Sequence, residues 1–457
     1  MSNKQANSLI PFLLSFFTRG HERSVKAKKN IVYSLVIKGI SILISLILVP
    51  LTLHYVNPTQ YGIWLTLTSI IGWFGFFDIG FGNGLRNKFA EALAKNEHDQ
   101  ARIYISTTYA ALSIIIGVVL LLFLLINPFL NWAKILNTPA EMGNELRILA
   151  LIVFVFFCIQ FVLQLLTTVI TANQEPAKAS LFGLFGSILS LAVIFIMTQI
   201  SKGSLIRLGI AFSLSPVIVL AISSLWFYRR EYRKYAPSFK YVRFSYARDL
   251  MTLGMKFFVI QIAVVIIYQT SNIIIAQLFG PAQVTPYNIA YKYFSIIPMV
   301  FSIIMMPFWS AFTEAWVKEE YSWIKNIIKS LIKLWAIIGI VTLIMLLCSN
   351  LVYRLWVGKE IRVPNMLSAI MAVYVVLNAW GSIYSQFLNG VGKVKVQIYS
   401  AVICAVVNIP LSIFLGKRMG ISGVILSTTI LAFTSAIWSP IQYRLIITHK
   451  AKGIWNK

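Results

Sequence analysis

Predominantly apolar windows, about 20 residues or more long, recur along this chain, as in Ile31 to Tyr55, Ile103 to Asn127 and Ile148 to Thr171. At about 1.5 Å per helical residue, each run covers the roughly 30 Å hydrocarbon core of a bilayer. Lipid offers backbone N–H and C=O groups no partner, so a chain built this way spans as helices. Of the 457 residues 58% are hydrophobic and 12% charged, against roughly 25% charged in soluble domains. The pattern predicts an all-α membrane protein of about twelve transmembrane helices. The spans fall near 31 to 54, 61 to 82, 103 to 127, 147 to 171, 178 to 200, 205 to 228, 250 to 279, 284 to 311, 326 to 349, 366 to 388, 395 to 416 and 421 to 446.

The amino-terminal run Leu9 to Phe17 is too short to span, contains Pro11 and lacks a small-residue cleavage site. It reads as a segment lying on the membrane surface. Cys158, Cys348 and Cys404 all fall within apolar spans, at spacings that suit neither a metal nor a disulfide framework. The net charge of +26 comes from residues between spans, not from one basic face, so its expected partner is membrane lipid and not nucleic acid. By loop, 28 Lys and Arg lie on the side holding both termini and 9 on the other. The positive-inside rule then puts both termini in the cytoplasm.

The basic loop Arg229 to Arg248 divides the spans into two sets of six. An offset of 223 residues aligns Pro58-Thr-Gln60 with Pro281-Ala-Gln283, and Phe89-Ala-Glu91-Ala92 with Phe312-Thr-Glu314-Ala315. Each half has an even number of spans, so the halves enter the membrane in the same sense, related by a pseudo-twofold axis along its normal. The expected organisation is a cytoplasmic or interfacial segment 1–30, a six-helix bundle 31–228, a basic linker 229–249, a second bundle 250–446 and a cytoplasmic tail 447–457.

Among the Asp and Glu residues only Asp78 falls within a span, so paired-carboxylate catalysis lacks its parts. Asp78 reads either as a coupling-ion site or as an interfacial group paired with Arg86 or Lys88. No nucleotide-binding P-loop and no HExxH, CxxC or GxSxG motif occurs, so no catalytic residue, metal or cofactor is expected.

Lysines within spans are the more telling feature. Lys38 lies roughly 10 Å into the first span, with Ser34, Ser41, Ser45 and Thr52 on its face. Lining a water-filled cavity and snorkelling to the headgroups are both open to it. Lys256 takes the comparable early position in the seventh span, about 120° away from the shared face of Gln261, Tyr268 and Asn272, which favours snorkelling. Lys292, flanked by Tyr291 and Tyr293, sits in the outer half of the eighth span. Lys38 and Lys292 together would make a cationic cavity suited to phosphoryl oxygens. The small residues Ser180, Gly183, Ser187 and Ser190 share one face of the fifth span and read as a close-packing surface.

The segment Phe81-Gly-Asn-Gly84-Leu-Arg86-Asn-Lys88-Phe-Ala-Glu91-Ala-Leu-Ala-Lys95, with Tyr61-Gly62-Ile-Trp64 and with Phe279-Gly280 followed by Tyr287-Asn-Ile-Ala-Tyr-Lys292, resembles bacterial polysaccharide-unit exporters of the O-antigen type. These belong to the multidrug, oligosaccharidyl-lipid and polysaccharide exporter superfamily, and the resemblance runs from about Lys28 to Tyr443. It implies two six-helix bundles in a V, whose first and seventh helices line a cavity opening alternately to each side of the inner membrane. The implied substrate is an anionic oligosaccharide on an undecaprenyl pyrophosphate carrier, flipped by a protein that works beside other polysaccharide-assembly membrane proteins. The multidrug branch usually carries an acid in its first helix, where this chain has Lys38. Two alternatives are a proton- or sodium-coupled small-molecule exporter and a membrane polymerase or glycosyltransferase. The enzyme would need a sizeable outer loop, and the longest one, Pro128 to Leu146, offers only Glu141 and Glu145 one turn apart.

Overall fold

The computed structural model describes residues 22–78, 80–173, 175–251, 269–305 and 308–456, and all regular structure among them is helical. Ten of these helices are long and apolar enough to cross a bilayer. The first half of the chain contributes α1 (Glu22–Tyr55), α2 (Pro58–Gly72), α3 (Phe81–Ala94), α4 (His98–Ile126), α5 (Trp132–Leu136), α6 (Gly143–Leu163), α7 (Leu165–Ala172), α8 (Pro176–Ile200) and α9 (Leu205–Arg229). The second half contributes α10 (269–279), α11 (Val284–Met305), α12 (Phe308–Val317), α13 (Tyr321–Val357), α14 (Asn365–Gly390), α15 (Lys395–Met419) and α16 (Ile421–Ile447).

Two of the expected spans are absent from the ten, for different reasons. The span expected at 61–82 is α-helical only to Gly72, then tightens into a 3-10 turn over Trp73–Asp78, and α3 starts afresh at Phe81. Residues 252–268, most of the seventh expected span, lie outside the described residues. The start of α2 follows from its sequence: Asn57 Oδ1 accepts from Gln60 N–H at 2.8 Å, Gln60 Oε1 accepts from Asn57 N–H at 3.4 Å, and Pro58 occupies the first turn.

The two segments matched at an offset of 223 adopt one local conformation. Glu91 pairs with Lys95 at 2.8 Å, and Glu314 with Lys318 at 2.5 Å. Each helix then ends on a left-handed residue, Asn96 (φ 60°) or Glu319 (φ 58°), followed by an N–H that reaches back five residues, from Glu97 to Ala92 O and from Glu320 to Ala315 O. Phe89 and Phe312 anchor the two motifs and are fully buried. Hydrogen bonds from Lys95 and Lys88 hold the exposed Glu91 carboxyl below its usual range.

The basic linker is strapped to the first half. Arg102 Nε donates to Ala236 O at 3.0 Å, Arg243 N–H donates to Thr107 Oγ1 at 3.0 Å, and the Arg102 guanidinium sits 4.2 Å over the Tyr241 ring.

At the end of the molecule where α1 finishes, the two halves seal together. Thr285 Oγ1 donates to Pro58 O at 2.6 Å, Asn137 Nδ2 donates to Ala276 O at 3.0 Å, and Gln277 Nε2 donates to Lys134 O at 3.0 Å. At the opposite end the apolar core divides: Phe301, Phe312, Ile328, Phe387 and Ile447 belong to a cluster separate from the one shared by both halves. The seal depends on backbone closeness at Gly62, where an added Cβ would stand 1.8 Å from Pro281 O. Replacing Gly62 with Val should cost about 1–3 kcal/mol through overpacking and lower the thermal midpoint in detergent. Gly39→Val is the matched control, since a Cβ at Gly39 meets nothing within 4 Å. Equal midpoints for the two variants would mean that Gly62 is not a closure point.

Candidate functional site

Three adjoining cavities follow α11, the first between the halves and the other two lined, among the described residues, by the second half. The first, of about 350 Å³, is lined by Lys38, Ser41 and Ser45 of α1, Ser180, Gly183 and Ser187 of α8, and Met299 of α11. Met299 also borders the second, of about 230 Å³, with Tyr291, Ser295, Ser302, Tyr374 and Asn378. Tyr291 and Tyr374 continue into the third, of about 160 Å³, with Gln269, Asn272, Tyr287, Asn288 and Thr428. The result is a path rich in hydroxyls and amides through a membrane-embedded bundle.

Lys38 therefore faces the cavity, as the serine stripe on its helix suggests. Of that stripe Ser41 and Ser45 join it, Ser41 Oγ returning its own hydrogen to Ile37 O at 2.8 Å, while Thr52 is buried and bonded to Leu48 O. The small face of α8 departs from expectation. A Cβ at Gly183 meets nothing within 4 Å, and Ser180 and Ser187 share the cavity wall with it, whereas close approach to α9 runs through Gly186, whose Cβ would lie 3.3 Å from Pro216 Cα. Small side chains here leave room in the cavity beside Lys38 instead of only bringing helices together.

Lys292 is half-buried on α11 and lines none of the three cavities. Counting 100° per residue, Lys292, Ser295, Met299 and Ser302 share one face of α11, so its ammonium projects from the helix face that carries the cavity wall. Among the described residues it donates no hydrogen bond and forms no ion pair. Asn272 is buried and does two things at once: it borders the third cavity, and its Nδ2 donates to Ser69 Oγ at 2.9 Å across the halves. Its Oδ1 accepts from Asn288 Nδ2 at 2.8 Å, so the relay Asn288, Asn272, Ser69 ties α11, α10 and α2 together. Lys256, Gln261 and Tyr268 lie outside the described residues, as does the side chain of Asp78. Lys88 bonds Glu91 at 3.1 Å and Arg86 is exposed.

Ser295, Tyr374, Asn378 and Thr428 are lining residues that the sequence pattern did not single out. Ser295 was findable from its spacing to Lys292, whereas Tyr374, Asn378 and Thr428 reach the cavity only through the tertiary arrangement of α14 and α16.

One contact across the halves has a backbone origin. Pro50 has no N–H, so within α1 the carbonyl of Leu46 loses its ordinary partner. Trp356 of α13 supplies one, its indole Nε1–H donating to Leu46 O at 2.8 Å. Pro440 repeats the arrangement in α16, where Trp380 Nε1–H donates to the freed Ala436 O at 3.1 Å.

These features define the chain's class: a multi-pass α-helical membrane protein with polar cavities along α11, the one between its two halves bearing Lys38. A family profile described as polysaccharide biosynthesis protein matches residues 27–316, and a second, described as MatE, matches residues 257–414. The chain belongs to the polysaccharide biosynthesis protein family. A Yersinia pseudotuberculosis protein named as a candidate O-antigen export protein is 25% identical over 441 residues, covering 90% of this chain and 94% of that one. Among solved structures, an inward-facing multidrug-resistance MATE transporter of the MOP superfamily superposes with TM-score 0.75 at 15% identity, over 92% of this chain and 98% of that one. The lipid II flippase MurJ in an inward closed conformation superposes with TM-score 0.71 at 14% identity, over 90% and 87%.

Trp356→Phe keeps the ring and removes the donor, which should cost about 1–3 kcal/mol by leaving Leu46 O unsatisfied. In a Pro50→Ala background Leu46 O regains a helical partner, so the same change should cost about 1 kcal/mol less. Unfolding midpoints of the four proteins measure the coupling, and strict additivity would sink the assignment.

Proposed function

We propose that this protein flips a lipid-linked oligosaccharide unit across the membrane by alternating access, exposing its cavity first to one face and then to the other. The observation that carries the reading is the first cavity, where Lys38 stands among serines, and among the described residues no acidic one lines any of the three compartments. A fixed positive charge in low dielectric favours an anionic passenger, and a pyrophosphate presents several oxygens to share an ammonium's hydrogens. The naming of its Yersinia relative for O-antigen export supports the same cargo.

Twelve helices, counting α2 with its 3-10 extension and the helix ending at 279, form bundles 31–228 and 250–446 about a pseudo-twofold axis. The matched ends of α3 and α12 support that repeat. The excess of Lys and Arg on the side of both termini supports a bacterial inner-membrane location with those termini cytoplasmic. The sealed end then faces outward and the cavity opens to the cytoplasm, where lipid-linked units are assembled. The protein moves its substrate without chemistry. Lys38 and Lys292 contact the pyrophosphate or acidic sugars, with Asn272 bordering the compartment farthest from Lys38.

A second reading, a cation-coupled exporter of small molecules, is supported by the MatE profile match over 257–414. Uptake of a cationic dye into proteoliposomes that collapses with the pH gradient would favour it.

In proteoliposomes carrying a lipid-linked oligosaccharide, Lys38→Ala and Lys292→Ala should each lower translocation about tenfold or more, the loss of one charge-assisted contact. Lys38→Arg should retain most activity. Wild-type rates in both alanine variants and in the double variant, at matched protein levels, would remove these lysines from the site.

A further inference from the structure

A separate cavity of about 400 Å³ lies at the sealed end, beyond the carboxyl end of α13. Arg354, Lys359 and Arg362 line it, together with Asn350 and the buried Tyr353. It shares no residue with the three central compartments. The chain folds back around it through Gly358, which has φ +90° and open space at its missing Cβ.

Three cations within nine residues on this face run against the bias that depletes Lys and Arg from outward loops. They account for three of the nine on that side. Among the described residues none of the three forms an ion pair, although Glu360 lies between them in sequence. Their donors are thus free toward the cavity, and two guanidiniums with an ammonium around a concave space match a phosphate group, which accepts several N–H bonds at once. The floor connects inward. The Tyr353 hydroxyl is engaged with Ser368 Oγ at 3.1 Å, and its ring packs edge-on against Tyr293, 5.4 Å between centroids, directly after Lys292 in α11.

We infer that Arg354, Lys359 and Arg362 form an outward-face phosphate-binding site that receives the diphosphate of a lipid carrier after it leaves the central cavity. The phosphate chemistry stands on these residues alone, while its assignment to a transported carrier rests on the flippase reading above. The same chemistry is offered by phospholipid headgroups of the outer leaflet, which the test separates.

The test uses the full chain in nanodiscs and follows phenylglyoxal modification of individual arginines by mass spectrometry. In phosphatidylcholine discs, inorganic pyrophosphate at about ten times its Kd should slow modification of Arg354 and Arg362 about tenfold. It should leave Arg207, exposed at the same end, unprotected. Lys359→Gln should weaken the protection without altering the unliganded rates. Protection already present in phosphatidylglycerol discs, before pyrophosphate is added, assigns the phosphate to a lipid headgroup and keeps the site. Identical rates at Arg354 and Arg362 with and without pyrophosphate, in both lipids and in Lys359→Gln, overturn it. A protein that shows protection yet fails to translocate would lose the flippase reading and retain the site.

Discussion

A backbone carbonyl inside a bilayer has no water to turn to, and that constraint organises this molecule. Proline creates such orphans wherever it interrupts a spanning helix. Here two of them are answered from neighbouring helices by tryptophan indoles, Trp356 on Leu46 O and Trp380 on Ala436 O. The first joins the two halves of the chain. A helix break that would be a cost in α1 alone becomes a directional tie to α13, and it fixes which face of α1 turns toward the second half. Lys38 lies eight residues before Leu46, about 12 Å along the axis, so what Trp356 orients is also the helix that presents the cavity's cation.

Polar side chains obey the same constraint. Ser41, Thr52, Thr66 and Ser69 each return a hydrogen to a carbonyl one turn earlier, which lets hydroxyls line or cross the bundle at little cost. A lysine has no such local escape. On insertion scales it costs roughly 2.5–3.5 kcal/mol at mid-membrane unless water or a partner reaches it. The compartment of about 350 Å³ around Lys38 is large enough to hold several waters, and the small residues of α8 make that space. Cation, serine stripe and small-residue face are thus parts of one solution to holding within the membrane a charge that has no ion-pair partner among the described residues.

How much of this could be read from sequence follows from the range of each interaction. Apolar runs and the 223-residue offset are local signals, and the helices and the paired ends of α3 and α12 came from them. Local reading also put Lys38 on a polar stripe, because Ser41 and Ser45 follow at helical spacing. It failed where one element's meaning lies in another. Trp356 answers a proline more than 300 positions earlier, Asn378 and Thr428 reach the cavity from helices whose own patterns are apolar, and the α8 face looked like a packing surface because spacing cannot tell open space from a neighbour. The break after Gly72 was missed because hydropathy continues unchanged through Trp73–Asp78 while the backbone does not.

The seal between the halves has a strength suited to a structure that must open. Seven hydrogen bonds join the described residues of the two halves, and at about 0.5–1.5 kcal/mol net each they contribute on the order of 4–10 kcal/mol. Reversing a two-state population from 1:99 to 99:1 takes about 5.5 kcal/mol. The hydrogen-bonded part of the seal is thus of the size that biases a two-state population. A few charge-assisted contacts, at about 1.5–3 kcal/mol each, are of the same size. An anionic group engaging Lys38 from α1 and Lys292 from α11 would draw on helices from both halves, so its binding energy acts on the relative placement of those halves and not on either one alone. A cation on one half alone would shift the equilibrium only as far as its surroundings differ between the two states, since a ligand moves an equilibrium only by its differential affinity. On the proposed reading, the placement of Lys38 and Lys292 in different halves would let cargo binding bear on opening.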